Sequence, residues 1–501
     1  MKTKKIYPKD FQKFFNPVKY RNFSSLTLLT ISGLASCQST TKLPAAQTVQ
    51  HPNIVLIITD QQYVNKMSYM GDPYLNTPTM DRIAKNGYAF AQSYCTYPLS
   101  IPQRFSLFTG FYPAEYNARF NPTKNSKETF DYKAIEAEQP RMLANLFRKG
   151  GYDVFYGGKA HLTSPKTNED AEYYGFNNIY SVERRAELGR DAANFISKKT
   201  SGDKPFLMVV SYINPHDICE YDDYIDLDNL TPQVLKNKAE GIKRVKNYVE
   251  TVQKTYSPEQ FYGADICPPL PENFPPMFNE PPSLPLNTGF NYTIEQRRMY
   301  RWVYNRLVEE VDSNIAPVID ALDKGGFLKN TIIVFTSDHG EMDESHGAVH
   351  KMAPFKEAQN VPFIFWGPGI VESKVDRSNM VNTGIDLLPT LCDLAGIQTD
   401  GRYPGLSVKP LITGKSANLG RRYIFCEGPN WFQVVKDGRY KYTVLEYPGH
   451  PAMLVDLQND PGEMINQTVN PAYDKIREEL SQILAQELAK RGIKLNTHSK
   501  I

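Results

Sequence analysis

Two polar pairs stand directly after apolar runs that read as strands. Asp60 and Gln61 follow Asn53–Thr59, and Asp338 and His339 follow Thr331–Phe335. In an open α/β sheet, sites form outside the carboxyl ends of the strands. Two aspartates converging there supply hard oxygen ligands suited to Ca²⁺ or Mg²⁺. Gln61 can add a carbonyl oxygen, whereas His339 is an unusual partner for calcium taken alone. A lone aspartate after a strand more often caps a turn, so a third cluster has to decide. Ser100-Ile101-Pro102-Gln103-Arg104 is that cluster. Pro102 suits the first turn of a helix, which sets Ser100 near the positive helix end. Arg104 returns to the same face one turn later.

The elements that must position these groups alternate between strands and helices. Asn53–Thr59 is continuously apolar, as a strand buried on both faces should be. Thr79–Asn86 reads as a helix stopped by Gly87, and Pro140–Lys149 as another, followed by the short strand Asp153–Tyr156. Phe206–Tyr212 is a further buried strand. Tyr300, Val303, Tyr304, Leu307, Val308 and Val311 share one helical face. That helix ends near Gly325-Gly326, and the strands Thr331–Phe335 and Val361–Trp366 come after it. The result is an α/β sheet with covering helices. After about residue 410 short strands follow without helices between them: Tyr423–Cys426, Phe432–Val435 and Tyr440–Leu445. A last helix, about Tyr473–Arg491, closes the chain.

Ser100 to Gly110 closely resembles the signature of the formylglycine-dependent (type I) sulfatases: Cys or Ser, any residue, Pro, any residue, Arg, then an apolar helix ending in Thr-Gly. Cys95 cannot be the modified residue, because Tyr97 and not proline stands two positions later. Further stretches resemble the family's other elements in order. They are Gly157-Gly158-Lys159-Ala160-His161, Asn214-Pro215-His216 and Thr336 to Glu341. Then come Ser345-His346-Gly347 with Lys351, Phe355 and Glu357; Asp386 to Gly396; and Asp456-Leu457 with Asp460-Pro461 and Glu463. The resemblance covers roughly residues 51–470. Each piece has a dull reading, but six ordered matches at strand ends make coincidence improbable.

The resemblance implies an alkaline-phosphatase-like mixed sheet flanked by helices, with a smaller C-terminal α+β subdomain. The change of pattern after about residue 410 bounds a catalytic domain at 51–410 and that subdomain, with a small antiparallel sheet and terminal helix, at 411–501. The resemblance implies one divalent ion, calcium before magnesium, held by Asp60, Gln61, Asp338 and His339 together with the residue formed from Ser100. A serine-type maturing enzyme would oxidise Ser100 to 3-oxoalanine (formylglycine), whose hydrate attacks sulfur with help from the metal and Arg104. Metal coordination lowers the pKa of such an oxygen. Lys159 and Lys351 would stabilise charge on the sulfate oxygens. His216, or His346 as second candidate, would protonate the departing sugar oxygen, and His161 would take the proton that ends the cycle. Two departures stand out: Gln103 where many relatives carry Ser or Ala, and Gln61 where the second ligand is often Asp.

The N-terminus reads as an address. Residues 1–36 hold six Lys, one Arg and one Asp, and without them 50 basic side chains face 54 acidic ones. Affinity for an anion must therefore be local, and a bulk nucleic-acid binder is disfavoured. Leu26–Ala35 is apolar but too short to span a bilayer. Leu34-Ala35-Ser36-Cys37 resembles a bacterial lipoprotein processing box. The expectation is a signal peptide over 1–36, a lipidated Cys37, a tether to residue 50, and an exported product anchored to the cell envelope, on the outer membrane. The other five cysteines show no CxxC spacing, so each reads as a small buried hydrophobe.

An exported, anchored sulfatase suits a sulfated polysaccharide or oligosaccharide, either algal (ulvan, carrageenan) or a glycosaminoglycan or mucin. Glu220, Tyr221 and Asp223 after His216 are candidates for sugar hydroxyls. Trp431 and Phe432 could stack on sugar, although core packing is favoured. Residues 268–285 carry eight prolines, with Phe274 and Phe278 among them, and read as an ordered loop that could shape a pocket. Two other readings compete. One is a phosphatase or phosphonate monoester hydrolase of the same superfamily, which would commonly need a second metal set that is not evident. The other is a non-catalytic sugar-binding lipoprotein, which predicts broken motifs. A Ser-His-Asp hydrolase is disfavoured, since no Gly-x-Ser-x-Gly elbow surrounds Ser100.

Overall fold

In the computed structural model the described residues are 51–121, 130–165, 170–182, 185–263, 266–277, 284, 286–289, 291–446 and 452–495. Cys37, the leader and tether over 1–50, and Phe278 lie outside them. Eight strands form the larger sheet: β1 (Asn53–Asp60), β2 (Tyr88–Tyr94), β3 (Asp153–Gly158), β4 (Asn178–Ser181), β5 (Phe206–Pro215), β6 (Thr331–Ser337), β7 (Phe363–Trp366) and β8 (Lys374–Asn382). Their order is β4-β3-β5-β1-β6-β7-β2-β8. The run β4-β3-β5-β1-β6 is parallel, and β7 is antiparallel to both of its neighbours. The sheet is thus mixed, and the carboxyl ends of β3, β5, β1 and β6 share one edge.

The central strands are apolar throughout because helices cover both faces. All eight positions of β1 are buried. One face packs against Leu107, Phe108, Phe147 and Leu391, and the other against Val303, Leu307, Val311 and Ile315 of the long helix Ile294–Lys324. That helix starts with a Thr293–Gln296 capping box and stops at Gly325. The expected helix at 140–149 is shorter, Leu143–Lys149, because a 3₁₀ turn, Gln139–Arg141, takes the chain through Pro140. Among the elements not anticipated are β2, β8 and the 24-residue helix Pro232–Thr255. β2 and β8 mix polar and apolar residues without clean alternation. The helix has a mostly polar sequence that buries only Gly241, Ile242, Val245, Val249 and Val252.

Four further strands, β9 (Tyr423–Gly428), β10 (Trp431–Lys436), β11 (Tyr440–Leu445) and β12 (Met453–Asp456), form an antiparallel sheet in the order β12-β11-β10-β9. The helix Asp474–Lys490 packs Leu480, Leu484 and Leu488 against Phe432, Val434 and Tyr442. Trp431 and Phe432 are fully buried, so core packing and not sugar stacking is their role. Tyr221 is also core, its hydroxyl donating to the Gln296 carbonyl (2.9 Å), which removes it from the candidate sugar contacts. No helix among the described residues is long and apolar enough to cross a membrane.

Candidate active site

Each strand of the shared edge delivers a polar group where its apolar run ends. β1 ends at Asp60, β6 is followed by Asp338 and His339, β5 by His216, and β3 by Lys159 and His161. Gly158 is required at the end of β3. Its φ is 93°, and a Cβ there would lie 2.0 Å from the Ser211 carbonyl oxygen. This close approach lets the Lys159 amide donate to that oxygen (2.8 Å) and turns the chain into the site.

The helix Ser100–Thr109 brings the remaining groups. Ser100 is its first residue, and all ten residues are buried. Gln103 is a structural pin: its Oε1 accepts from the Thr96 amide (2.8 Å) and its Nε2 donates to Thr383 Oγ1 (3.1 Å). Arg104, fully buried, bridges both aspartates. Its Nη2 lies 3.1 Å from Asp60 Oδ2 and its Nε 2.9 Å from Asp338 Oδ2. Its Nη1 donates to Ser211 Oγ (2.8 Å) and the Lys159 carbonyl (3.1 Å). Ser211 was not anticipated, although a serine inside an otherwise apolar strand is a visible signal.

Asp60, Asp338 and His339 each offer a ligand atom within 4.8 Å of the others. Asp60 Oδ1, buried, has no hydrogen-bond partner. His339 Nδ1 lies 2.9 Å from the Gly340 carbonyl, so it carries the proton and leaves Nε2 as a lone pair. Ser100 Oγ lies 3.1 Å from that Nε2 and 3.5 Å from Asp60 Oδ2. Oxygen donors around an orphaned carboxylate oxygen suit a hard divalent cation.

Gln61 departs from the expected ligand set. Its Oε1 accepts from Lys351 Nζ (2.5 Å) and Cys219 Sγ (3.2 Å), and its Nε2 donates to Glu341. The carbonyl expected at the metal thus also accepts from the lysine. Glu341 is itself anchored by the Tyr300 hydroxyl (2.8 Å) and the His350 amide (2.6 Å). His346 is a second departure. Its ring stacks on Phe355 (3.8 Å between centroids), and its charged neighbours are Lys441, Lys356 and Asp460. Its backbone is left-handed (φ 57°), and its amide donates to the Asn273 carbonyl (2.6 Å). That leaves His216 as the candidate proton donor. Glu220 and Asp223 both pair with Lys238, at 3.0 and 2.6 Å.

The electrostatics follow from this crowding. Burial alone would raise the Asp60 carboxyl, but Lys159, His216 and Arg104 hold it well below the usual range. Lys159 Nζ sits 2.8 Å from Asp60 Oδ2. Burial tends to lower Lys351, yet Cys219, Asp60 and Asp338 raise it, so it stays charged. Burial, reinforced by Lys159, lowers His161 to about 3. His216 is lowered by burial and by Lys351 and Lys159. Both rings are therefore neutral near pH 7.

The sulfatase family model matches residues 52–397, more than half of the chain. The chain belongs to the sulfatase family. It is a sulfuric ester hydrolase with the family's mixed sheet, and residues 344–490 match the C-terminal model of N-sulphoglucosamine sulphohydrolase. A Delta 4,5-hexuronate-2-O-sulfatase of Bacteroides thetaiotaomicron is 29% identical over 483 residues, covering 90% of this chain and 91% of that protein. An ulvan-active sulfatase of Formosa agariphila is 25% identical over 527 residues, covering 96% and 90%. The solved structure of a 2-O GAG sulfatase superposes with a TM-score of 0.70 at 25% identity, covering 88% and 93%.

Proposed function

We propose that this sulfatase removes sulfate esters from a carbohydrate of the glycosaminoglycan or ulvan type, using a formylglycine made from Ser100. The relatives' names support the substrate class. We read the protein further as exported and anchored to the cell envelope through a lipid on Cys37. The observation that carries the reading is the placement of Ser100. Its Oγ lies 3.1 Å from His339 Nε2 and 3.5 Å from Asp60 Oδ2, at the start of a buried helix whose Arg104 bridges Asp60 and Asp338.

Formylglycine, as its hydrate, supplies an oxygen nucleophile that can later release sulfate by elimination. Asp60, Asp338 and His339 would hold the divalent cation, which supplies positive charge for that oxygen and for the sulfate; calcium fits the oxygen-rich set. Arg104 fixes both aspartates in place. Lys159 and Lys351 offer ammonium groups to the sulfate oxygens and offset the charge that builds there. His216 is the residue that would give a proton to the departing sugar oxygen. His161, neutral and with an unbonded Nδ1, would accept one.

Mass spectrometry of the Ser100 peptide, from cells with serine-type maturation, tests the reading. Conversion appears as the loss of two hydrogens, alongside sulfate release from sulfated oligosaccharides. Equal turnover from unconverted protein would overturn it.

A further inference from the structure

Lys351 lies between two residues in the left-handed region, His350 (φ 66°) and Met352 (φ 75°). Side chains with a Cβ adopt that conformation only where the surroundings enforce it. Three sets of contacts do so here. The His350 amide donates to Glu341 Oε1 (2.6 Å). The Met352 amide donates to the Pro98 carbonyl (3.1 Å), two residues ahead of Ser100. The third set comes from the smaller sheet. Trp431 Nε1 donates to the Met352 carbonyl (2.8 Å), and Gln433 Nε2 (3.0 Å) and Lys441 Nζ (2.8 Å) both donate to the Pro354 carbonyl. The Lys356 amide donates to Glu463 Oε1 (3.1 Å).

Trp431 and Gln433 are two apart in β10, and Lys441 pairs with Val435 from β11. All three therefore project from one face of that sheet. All three are also buried. Packing two sheets together needs apolar surface only. Here an indole N–H, an amide and an ammonium group converge on the backbone of residues 352–354, immediately after Lys351. Lys351 in turn reaches Gln61 Oε1 at 2.5 Å.

We infer that the C-terminal sheet positions Lys351 at the sulfate site, with Trp431 and Gln433 as positioning residues that act through it. This rests on the reading that Lys351 works on the sulfate. It gives the Phe/Tyr-x-Glu and Asp-Pro-x-Glu stretches a shared purpose, since Glu463 takes the amide of the residue next to Glu357. Small displacements matter at such a group, because rate depends on placement to within about 1 Å.

The test is a double-mutant cycle. Gln433→Met keeps length and apolar body but removes the donor, and Trp431→Phe removes the indole N–H. Each is made in the mature enzyme alone and on Lys351→Ala, with kcat, KM and thermal midpoint measured. Each should lower kcat by about three- to tenfold, the effect of one lost hydrogen bond, with KM within about twofold. Neither should lower kcat further on Lys351→Ala. Equal losses in both backgrounds, or an unchanged kcat in Gln433→Met, would overturn the positioning role while leaving Lys351 catalytic. An unchanged kcat in Lys351→Ala alone would instead overturn the reading of Lys351, and the positioning role with it.

Discussion

The carboxyl edge of the larger sheet and the seams of the smaller sheet both bury charge, but they balance it differently. At the edge, the cations Arg104, Lys159 and Lys351 act on the carboxylates Asp60 and Asp338, and Asp60 Oδ1 and His161 Nδ1 have no hydrogen bond. At the smaller sheet, charges meet as pairs: Lys441 with Glu463, Arg421 with Asp386 and Arg491 with Glu487. A buried charge without its full complement is costly, so the first arrangement makes sense around an anion and a cation still to come. The second matches each cation with a carboxylate and serves shape. Paired charges hold a sheet in place, and surplus charge marks where a ligand binds.

Perturbing the two regions should therefore have opposite signatures. Ser100→Ala should abolish sulfate release with an unchanged thermal midpoint, because the hydroxyl contributes little packing; turnover near the parent level would refute its role. Chelation should come next. Removing the cation from matured enzyme should take activity below detection and lower the thermal midpoint, since an ion that binds only the folded state at 100 times its Kd stabilises by about 2.7 kcal/mol. Calcium should restore both, and chelator-resistant turnover would break the assignment of Asp60, Asp338 and His339. Lys351→Ala should reduce kcat by about 10²–10³-fold with a small change in KM, the range seen for one lost charge-stabilising donor.

On the other side of the comparison, Asp386→Ala should cost about 3–5 kcal/mol of stability while leaving kcat per folded molecule alone. It strips the buried carboxylate from the largely covered Arg421, whose Nη2 lies 2.7 Å from Asp386 Oδ1. A stable variant with impaired kcat would erase the distinction between the regions. The smallest effect concerns Glu427, pushed up to about 7 by burial despite Arg119. With its folded pKa above its unfolded one, the folded state holds the extra proton. Its contribution is therefore complete below pH ~4.5 and is lost as pH rises through 7. Glu427→Gln should flatten that part of a denaturation-midpoint profile, and an unchanged slope would count against it.

Much of the site was legible because its parts are local. A continuous apolar run predicts a strand buried on both faces, and the polar residue that ends it must lie at the sheet edge, as Asp60 and Asp338 do. Ser-x-Pro-x-Arg is likewise a statement about one helical turn. Motif position leaves the partners of Gln61 and His346 open: Lys351, 290 residues away, meets the Gln61 carbonyl, and the Phe355 ring stacks on His346. β2 and β8 escaped notice because their polar residues are buried by tertiary contacts and not by alternation. Ser93 Oγ and Asn382 Oδ1, for example, lie at 0% and 1% exposed residues.

By itself the sequence determined which chemical groups stand at strand ends and in which order, since periodicity, chain breaks and motif spacing are local properties of the chain. Tertiary structure alone decided how those groups are shared. Lys351 meets the carbonyl of Gln61 across 290 residues, and Trp431 and Gln433 each reach the segment after Lys351 across 79 residues. Such contacts carry no local signature; they exist because folding both sheets brings a strained, lysine-bearing turn against the donors that can hold it.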